Sequence, residues 1–263
     1  STQGRRNPKD KFSQRFDAPG GTLDNTEVQT DVRSGDVVLE IGAGLGSLTA
    51  ALAETGAQVI AVEVDRGIVP VLREQMAGLP NVEVIEADAM TLNWSEFLAD
   101  INARHNRSAD ATFHLVANLP YNIATPLVAD LLDGVPAIHS MLVMVQSEVG
   151  ERLCAAPGTE AYGALSVKIA YWAHAQIAGS VPPTVFLPRP KVDSALVKIV
   201  RHSALPLGDV EPEALFRLVR TGFAKRRKML RSALTGVVTA EQFVEADVEA
   251  TLRAEQLDLA AWG

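Results

Sequence analysis

Cysteine is nearly absent from this sequence, because Cys154 is the only one among 263 residues. A single thiol excludes an internal disulfide and a cysteine-rich zinc site, so we expect no metal. Long apolar runs are missing as well, and none reaches the roughly 18 residues that a membrane span needs. The first ten residues are basic and polar with no apolar stretch behind them, which does not fit a secretory signal. These absences predict a cytoplasmic protein without a membrane partner, and no feature predicts more than a monomer.

An excess of positive charge is also lacking, since 24 Lys and Arg residues face 32 Asp and Glu residues and the net charge is −8. This balance excludes a protein that coats nucleic acid by being basic throughout. The positive charge is concentrated locally, because residues 224–231 hold five cations: Lys225, Arg226, Arg227, Lys228 and Arg231. Taken alone, such a cluster is more often a solvated helix face than a binding site. Because the cluster occurs together with the motifs described below, we interpret it as a patch that binds RNA phosphates.

Short apolar runs alternate with amphipathic stretches from Gly35 to about Val145. The runs predict five buried strands, at residues 37–41, 59–64, 82–85, 113–117 and 140–145. The stretches at 47–55 and 66–76 predict helices between the first three strands. Buried strands that alternate with helices indicate an α/β fold, with a parallel sheet covered on both faces.

The pattern becomes purely helical after about Pro206. Helices are predicted at 211–220, 226–234, 240–247 and 249–253. Residues 17–33 give little periodicity, and Gly20 and Gly21 break any helix there, so we expect a loop with at most one short helix. The sequence therefore predicts a partly flexible N-terminal segment (1–34), a Rossmann-like domain (35–205) and a small all-helical C-terminal domain (206–263) that binds RNA.

A glycine-rich turn, residues 42–46, directly follows the first predicted strand and opens a helix. Ligands of open parallel sheets bind at the carboxyl ends of the strands, and glycines let the backbone approach a ligand closely. The spacing is G-x-G-x-G and not the G-x-G-x-x-G of dinucleotide sites, which favours a nucleoside over a pyrophosphate. Gly42 and Gly44 are therefore candidate cofactor residues.

Two acidic residues end the next two predicted strands. Glu63 is placed to accept hydrogen bonds from both hydroxyls of a ribose, and Asp88 to accept one from an adenine amino group. Each acid alone is as readily a helix N-cap or a solvated loop residue. Functional residues at three consecutive strand ends make coincidence an unsatisfactory explanation.

The tetrapeptide Asn118-Leu119-Pro120-Tyr121 follows the fourth predicted strand. A loop of this composition suits one demanding reaction, the methylation of an aromatic amine. That reaction is difficult because the nitrogen lone pair is delocalised into the ring. The Asn118 side chain and the Leu119 carbonyl could accept both N–H groups and so direct the lone pair towards a methyl donor. Pro120 would stiffen the loop, and Tyr121 offers a ring on which a flipped-out base can stack. Alone, this tetrapeptide is also an ordinary turn with a proline.

A proline-rich segment, residues 181–194, predicts a rigid extended stretch. Phe186 is a candidate for the second aromatic wall that would sandwich the base against Tyr121, although a core position is the usual place for such a residue. Arg189 and Lys191 lie beside it in sequence and make a loop that faces RNA plausible.

With these motifs in place, the chain resembles the ribosomal RNA adenine dimethylases, which modify two neighbouring adenosines near the end of small-subunit RNA. The resemblance is carried by residues 37–49, 61–65, 118–123, 145–153, 162–167, the proline-rich segment and residues 223–228. It implies an S-adenosylmethionine-dependent methyltransferase with a Rossmann-like sheet and a small all-helical C-terminal domain. It further implies cofactor contacts by Gly42, Glu63, Asp88 and Asn118.

The resemblance also implies a reaction and a partner. Asn118 and the loop to Tyr121 would hold the target amine, and four methyl groups would be transferred in total. The partner would be the small ribosomal subunit with its RNA, late in subunit assembly.

One segment departs from the family pattern. Family members usually carry G-Q-N-F-L near the N-terminus, whereas this chain has Ser13-Gln14-Arg15-Phe16-Asp17. Arg15 replaces an asparagine that the family uses at the cofactor, so that contact is not carried over.

Three alternatives remain at the level of sequence. A macrolide-resistance enzyme that methylates large-subunit RNA shares the glycine-rich turn and the Asn118 loop, but residues 156–158 and 162–167 favour the small-subunit group. Enzymes that methylate protein amides use similar loops, and the cluster at 225–231 argues against them. A ribosome-assembly factor with weak or no catalysis is the third alternative, because the residues at 13–17 are unusual.

Overall fold

The computed structural model describes residues 32–118, 121–182 and 192–263, with residues 121 and 122 described by their backbone only. Its strands are β1 Val37–Ile41, β2 Gln58–Glu63, β3 Val82–Glu86, β4 Phe113–Asn118, β5 Ile138–Gln146, β6 Ala173–Val181 and β7 Ser194–Arg201. Six helices are associated with this sheet: α1 Ser47–Ala53, α2 Val69–Met76, α3 Trp94–Arg104, α4 Tyr121–Gly134, α5 Ser147–Cys154 and α6 Ala164–Trp172. The C-terminal part contains α7 Pro212–Ala224, α8 Leu230–Ala233, α9 Ala240–Glu245, a 3-10 turn at Ala254–Gln256 and α10 Leu259–Trp262.

The seven strands form one sheet in the order β3-β2-β1-β4-β5-β7-β6. β1 to β5 are parallel, whereas β7 is antiparallel to β5 and β6 is antiparallel to β7. The chain moves outward in one direction from β1 to β3 and in the other from β4 onward. The point at which the strand order reverses therefore lies between β1 and β4, where open α/β sheets bind their ligands.

The sheet is buried on both faces, which explains why its parallel strands are nearly continuous apolar runs. Leu39 belongs to a cluster with α3 and α4, whereas its neighbour Val38 packs with α1 on the other face. A third cluster joins α6 to the C-terminal helices, with Tyr171 and Phe216 at 5.4 Å between ring centroids. The helical part is therefore packed onto the sheet domain through α6.

The five predicted strands are confirmed, with bounds that agree to within two residues. β6 and β7 were not predicted. β6 is an edge strand with mostly exposed or half-buried residues, including Gly179, so its sequence lacks the apolar run of a buried strand.

Two helix predictions in the C-terminal part are wrong. Only Leu230–Ala233 is helical within 226–234, and residues 249–253 form turns that end in a β-bridge between Met229 and Arg253. Backbone pairing between these two segments replaces the helices, with Leu230 N donating to Leu252 O at 2.7 Å and Arg231 N to Ala250 O at 3.0 Å. Tertiary pairing thus overrides local helix propensity.

The contact between α7 and α10 allows a test of this packing. A Cβ added at Gly222 would lie 2.6 Å from Cη2 of Trp262, which is 4% exposed. We expect Gly222→Ala to lower the free energy of unfolding by about 1–3 kcal/mol, because the added methyl group overpacks a rigid indole.

Gly134→Ala in α4 is the matched control, since its added methyl group meets no atom within 4 Å. We expect that variant to be neutral or more stable by up to about 1 kcal/mol, from helix propensity. Urea unfolding of both purified variants measures the difference. Equal stability of the two variants would contradict the packing of α10 on α7.

Candidate active site

The glycine-rich turn and Asn118 meet where the strand order reverses. Gly42 follows β1 directly, and its N–H donates to Val62 O at 2.9 Å. A Cβ at Gly42 would lie 3.4 Å from the backbone carbonyl oxygen of Asn118, the last residue of β4. Gly42 and Gly44 have φ values of +78° and +55°, a region that favours glycine. The turn therefore lies close to the end of β4 in space, and it leaves backbone accessible at the carboxyl edge of the sheet.

Glu63 holds the glycine-rich turn in place. Its Oε2 accepts from Gly44 N at 2.8 Å, and its Oε1 accepts from Val64 N at 2.8 Å and Asp65 N at 2.9 Å. The residue is only 7% exposed. A carboxylate oxygen has about two acceptor positions, so Oε2 can accept one further hydrogen bond from a ligand. The predicted ligand acid is thus also the structural tether of the turn.

Asp88 lies at the same edge of the sheet. Ala87 N donates to Glu63 O at 3.0 Å, which places Asp88 just beyond the end of β2. Asp88 Oδ1 accepts from Met90 N at 2.9 Å, and the residue is exposed. Its carboxylate is therefore available for an amino group at the rim of the site.

Three exposed apolar side chains at this edge were missed from the sequence. Leu45, Val64 and Met90 are 58%, 60% and 40% exposed, and each lies shortly after the end of β1, β2 or β3. Apolar residues that project from consecutive strand ends form a surface suited to a flat aromatic ring. Their position directly beside the glycines and acids of the predicted site was the signal that could have found them.

Part of the predicted catalytic machinery lies outside the described residues. Asn118 is exposed at the end of β4, beside Met144 of β5, and the backbone of Tyr121 begins α4. Leu119 and Pro120 lie outside the described part of the chain, as do Phe186, Arg189 and Lys191. The expected pairing of Phe186 with Tyr121 therefore remains a prediction, as do the RNA contacts of Arg189 and Lys191.

The basic cluster lies mostly in the loop between α7 and α8, and of its cations only Arg231 is in the short helix α8. We call residues 225–231, which follow α7, the basic loop. Four of its cations are exposed: Lys225, Arg227, Lys228 and Arg231. The strand-like pairing of residues 229–231 with 250–253 holds the loop on the surface of the helical part.

Arg226 differs from the other four cations. Its Nε donates to Oε2 of Glu255 at 2.7 Å, and its Nη2 donates to the carbonyl oxygen of Glu160 at 2.6 Å. The loop before α6 is thereby joined to the 3-10 turn at Ala254–Gln256. Arg226 was expected to bind RNA, but the structure engages its guanidinium within the protein.

Two further bonds join the same segments. Gly158 N donates to Glu255 O at 2.7 Å, and the hydroxyl of Tyr162 donates to Leu257 O at 2.8 Å. Burial, with a smaller contribution from Asp258, raises the pKa of Tyr162 to about 12, so the phenol remains a donor. Arg226 therefore belongs to a connected set of bonds between the sheet domain and the helical part.

We expect Arg226→Ala to lower the free energy of unfolding by about 1–3 kcal/mol, because it removes two charge-assisted hydrogen bonds. Arg227→Ala is the control, since Arg227 is exposed and the change should be below about 0.5 kcal/mol. Chemical denaturation of both variants measures this. A loss of stability that is the same for the two variants would contradict the structural role of Arg226.

Among the described residues, His, Cys, Asp and Glu side chains form no group of three or more that could hold a metal ion. In the same part of the chain, no helix has the length and apolar character required to cross a membrane.

Comparison with known proteins identifies the family. Residues 5–261 match the family model described as ribosomal RNA adenine dimethylase. The chain is 39% identical to the ribosomal RNA small subunit methyltransferase A of Pseudomonas fluorescens (strain Pf0-1), over 96% of this chain and 89% of that protein. It is 40% identical to the protein of the same name from Levilactobacillus brevis, over 93% of this chain and 81% of that protein.

A solved structure shows the same fold. The crystal structure of a dimethyladenosine transferase from Plasmodium falciparum superposes with a TM-score of 0.73 at 24% identity, covering 88% of this chain and 89% of that one. The family model spans nearly the whole chain, including the glycine-rich turn, Asn118 and the basic loop. This chain belongs to the ribosomal RNA adenine dimethylase family.

Proposed function

We propose that this protein dimethylates the N6 amino groups of two adjacent adenosines near the 3′ end of small-subunit ribosomal RNA, with S-adenosyl-L-methionine as the methyl donor. The observation that carries the proposal is the match over residues 5–261, joined to relatives about 40% identical that are named small subunit methyltransferases. We expect the protein to act as a monomer in the cytoplasm, on the small subunit during its assembly.

The residues at the reversal point fit this cofactor. Gly42 and Gly44 leave room for close approach of the methionine part, and Oε2 of Glu63 has an acceptor position for a ribose hydroxyl. The exposed carboxylate of Asp88 would accept a hydrogen bond from the adenine amino group, between the apolar side chains of Leu45, Val64 and Met90. When bound, the cofactor supplies a methyl group on a positively charged sulfur.

Asn118 performs the positioning of the target. Its side-chain oxygen would accept one N–H of the adenine amine, and we expect the Leu119 carbonyl to accept the other. Both bonds favour the geometry in which the nitrogen lone pair points at the methyl group, and orientation supplies much of the rate enhancement. This amine site would lie beside the cofactor turn, because a Cβ added at Gly42 would lie 3.4 Å from the Asn118 carbonyl oxygen.

The first experiment is methyl transfer from labelled cofactor to immature small subunits that lack the modification, followed by nucleoside mass analysis. We expect dimethyladenosine with the unaltered protein. Asn118→Ala should lower transfer by at least about 100-fold, because one positioning acceptor is lost, while subunit binding stays within about twofold.

Three other results would contradict the proposal in different ways. Equal loss of binding and transfer by Asn118→Ala would remove its assigned role. Transfer to immature large subunits in place of small ones would support the macrolide-resistance type. Binding without any transfer would support the assembly-factor alternative, and Arg15→Asn would then test whether the unusual N-terminal motif is the cause.

The basic loop gives a second prediction, on RNA binding. Replacing Arg227 and Lys228 together by alanine should weaken subunit binding and lower the slope of log affinity against log salt by about 2, roughly one for each lost phosphate contact. Arg226→Ala is the internal comparison, and we expect it to change that slope by less than about 0.5, because its charge is paired with Glu255. Unchanged binding by the double variant at low salt would mean that the loop is only solvated.

A further inference from the structure

Glu40 is a carboxyl group in the centre of the sheet. It occupies β1 two residues before Gly42, its backbone lies between Ala61 of β2 and Val116 of β4, and it is 1% exposed. Its Oε2 has no hydrogen-bond partner among the described residues. A negative charge at such a position is unfavourable, because the carboxyl group is buried away from solvent and its Oε2 meets no donor among the described residues.

Thr49 is the polar neighbour of Glu40 on the helix side. It lies in the first turn of α1, is fully buried, and its Oγ1 also has no partner within the described part of the chain. The hydroxyl is near enough to favour the ionised carboxyl in part, but the two groups do not reach the geometry of a hydrogen bond. One weakly placed hydroxyl is little compensation for a buried charge.

Glu63 places a second carboxyl on the same face of the sheet. Glu40 lies opposite Ala61, and Glu63 follows Ala61 by two residues, so their side chains project to the same side. Glu63 accepts three backbone N–H bonds, whereas Oε2 of Glu40 accepts none. Of the two neighbouring carboxyl groups, Glu40 is therefore the one that lacks stabilising donors in the described part of the chain.

The other elements packed around Glu40 bring no compensating cation in the described residues. Helix α1 has no ionisable side chain, and the residues beside Glu40 on β2 and β4 are Ala61 and Val116. His114 lies two residues before Val116 and interacts with Ser140, with 2.7 Å between Nδ1 and Oγ. Burial, opposed in part by Thr49 and reinforced by the charge of Glu63, raises the pKa of Glu40 to about 8.

We propose that Glu40 is a positioning residue that acts as a neutral acid beneath the glycine-rich turn, and that loss of its proton weakens cofactor binding. The coupling passes through Glu63, because its Oε2 holds Gly44 N. A second negative charge beside Glu63 would push the two carboxylates apart and shift the turn that Glu63 tethers. The inference rests on the proposed position of the cofactor at residues 42–46.

The test compares the unaltered protein with Glu40→Gln, which keeps the shape and stays neutral at every pH. Isothermal titration calorimetry with S-adenosyl-L-methionine from pH 6.5 to 9 gives the affinity of each. The amino group of the cofactor titrates equally in both series, so the ratio of the two affinities is the readout. We expect equal affinities within about twofold at pH 6.5, and a ratio of about tenfold in favour of Glu40→Gln at pH 9, where about a tenth of Glu40 stays protonated.

Thr49→Val provides a second variant. Removing the hydroxyl withdraws the group that favours ionisation, so the loss of affinity should begin at a higher pH than in the unaltered protein. A ratio that stays constant with pH, or a loss of more than tenfold by Glu40→Gln at pH 6.5, would overturn the neutral-acid role. Failure of the unaltered protein to bind at pH 6.5 would instead reject the proposed cofactor site, and the inference with it.

Thermal unfolding without cofactor separates these two failures. The folded-state pKa of Glu40, about 8, lies above its ordinary value, so the stability of the unaltered protein relative to Glu40→Gln should fall from about pH 4.5 to about pH 8 and then level off. Parallel stability profiles for the two proteins would show that Glu40 is not held neutral, whatever the cofactor does.

Discussion

The geometry of the candidate active site depends on the three hydrogen bonds that the Glu63 carboxylate accepts. Two of them, from Val64 N and Asp65 N, fix the carboxylate at the end of β2, and the third connects it to Gly44 in the turn after β1, 19 residues away in sequence. A glycine-rich turn has little stiffness of its own, because its residues populate many backbone conformations. The carboxylate replaces the missing stiffness with directed bonds and remains able to accept one more from a ligand. The same group can therefore shape the site and contact the cofactor.

The candidate active site and the basic loop lie in different parts of the chain, on the sheet domain and on the helical part. Hydrogen bonds hold the loop before α6 against residues 254–257. Gly158 and Tyr162 bond directly from that loop to Glu255 and Leu257. Arg226 bonds to Glu160 in the loop and also to Glu255. The aromatic cluster of α6 and α7 adds an apolar contact beneath these bonds. The hydrogen bonds and the aromatic contact together fix the helical part on the sheet domain.

The parallel strands and the position of the acids at their ends could be predicted from the sequence because both leave local signals. A strand buried on both faces is a continuous apolar run, and a functional acid at its end interrupts that run at a recognisable place. β6 gave no such signal, because an edge strand with exposed residues has no apolar run. The partners of Arg226 lie 29 and 66 residues away in sequence, so no local pattern could separate it from its exposed neighbours. The burial of Glu40 could not be predicted for a related reason, because it depends on β2, β4 and α1 together.

For an acidic protein that binds a polyanion, the positions of the cations matter more than their number. With a net charge of −8, the chain as a whole repels RNA, but screening limits that repulsion to about 8 Å at physiological ionic strength. Near the basic loop, the carboxylate of Glu255 is paired with Arg226. This pair joins the two parts of the fold, and the other four cations of the loop are exposed to solvent. The sequence grouped Arg226 with its neighbours as an RNA-binding cation, and the structure gives it two partners within the protein, so any contact of Arg226 with RNA stays a prediction.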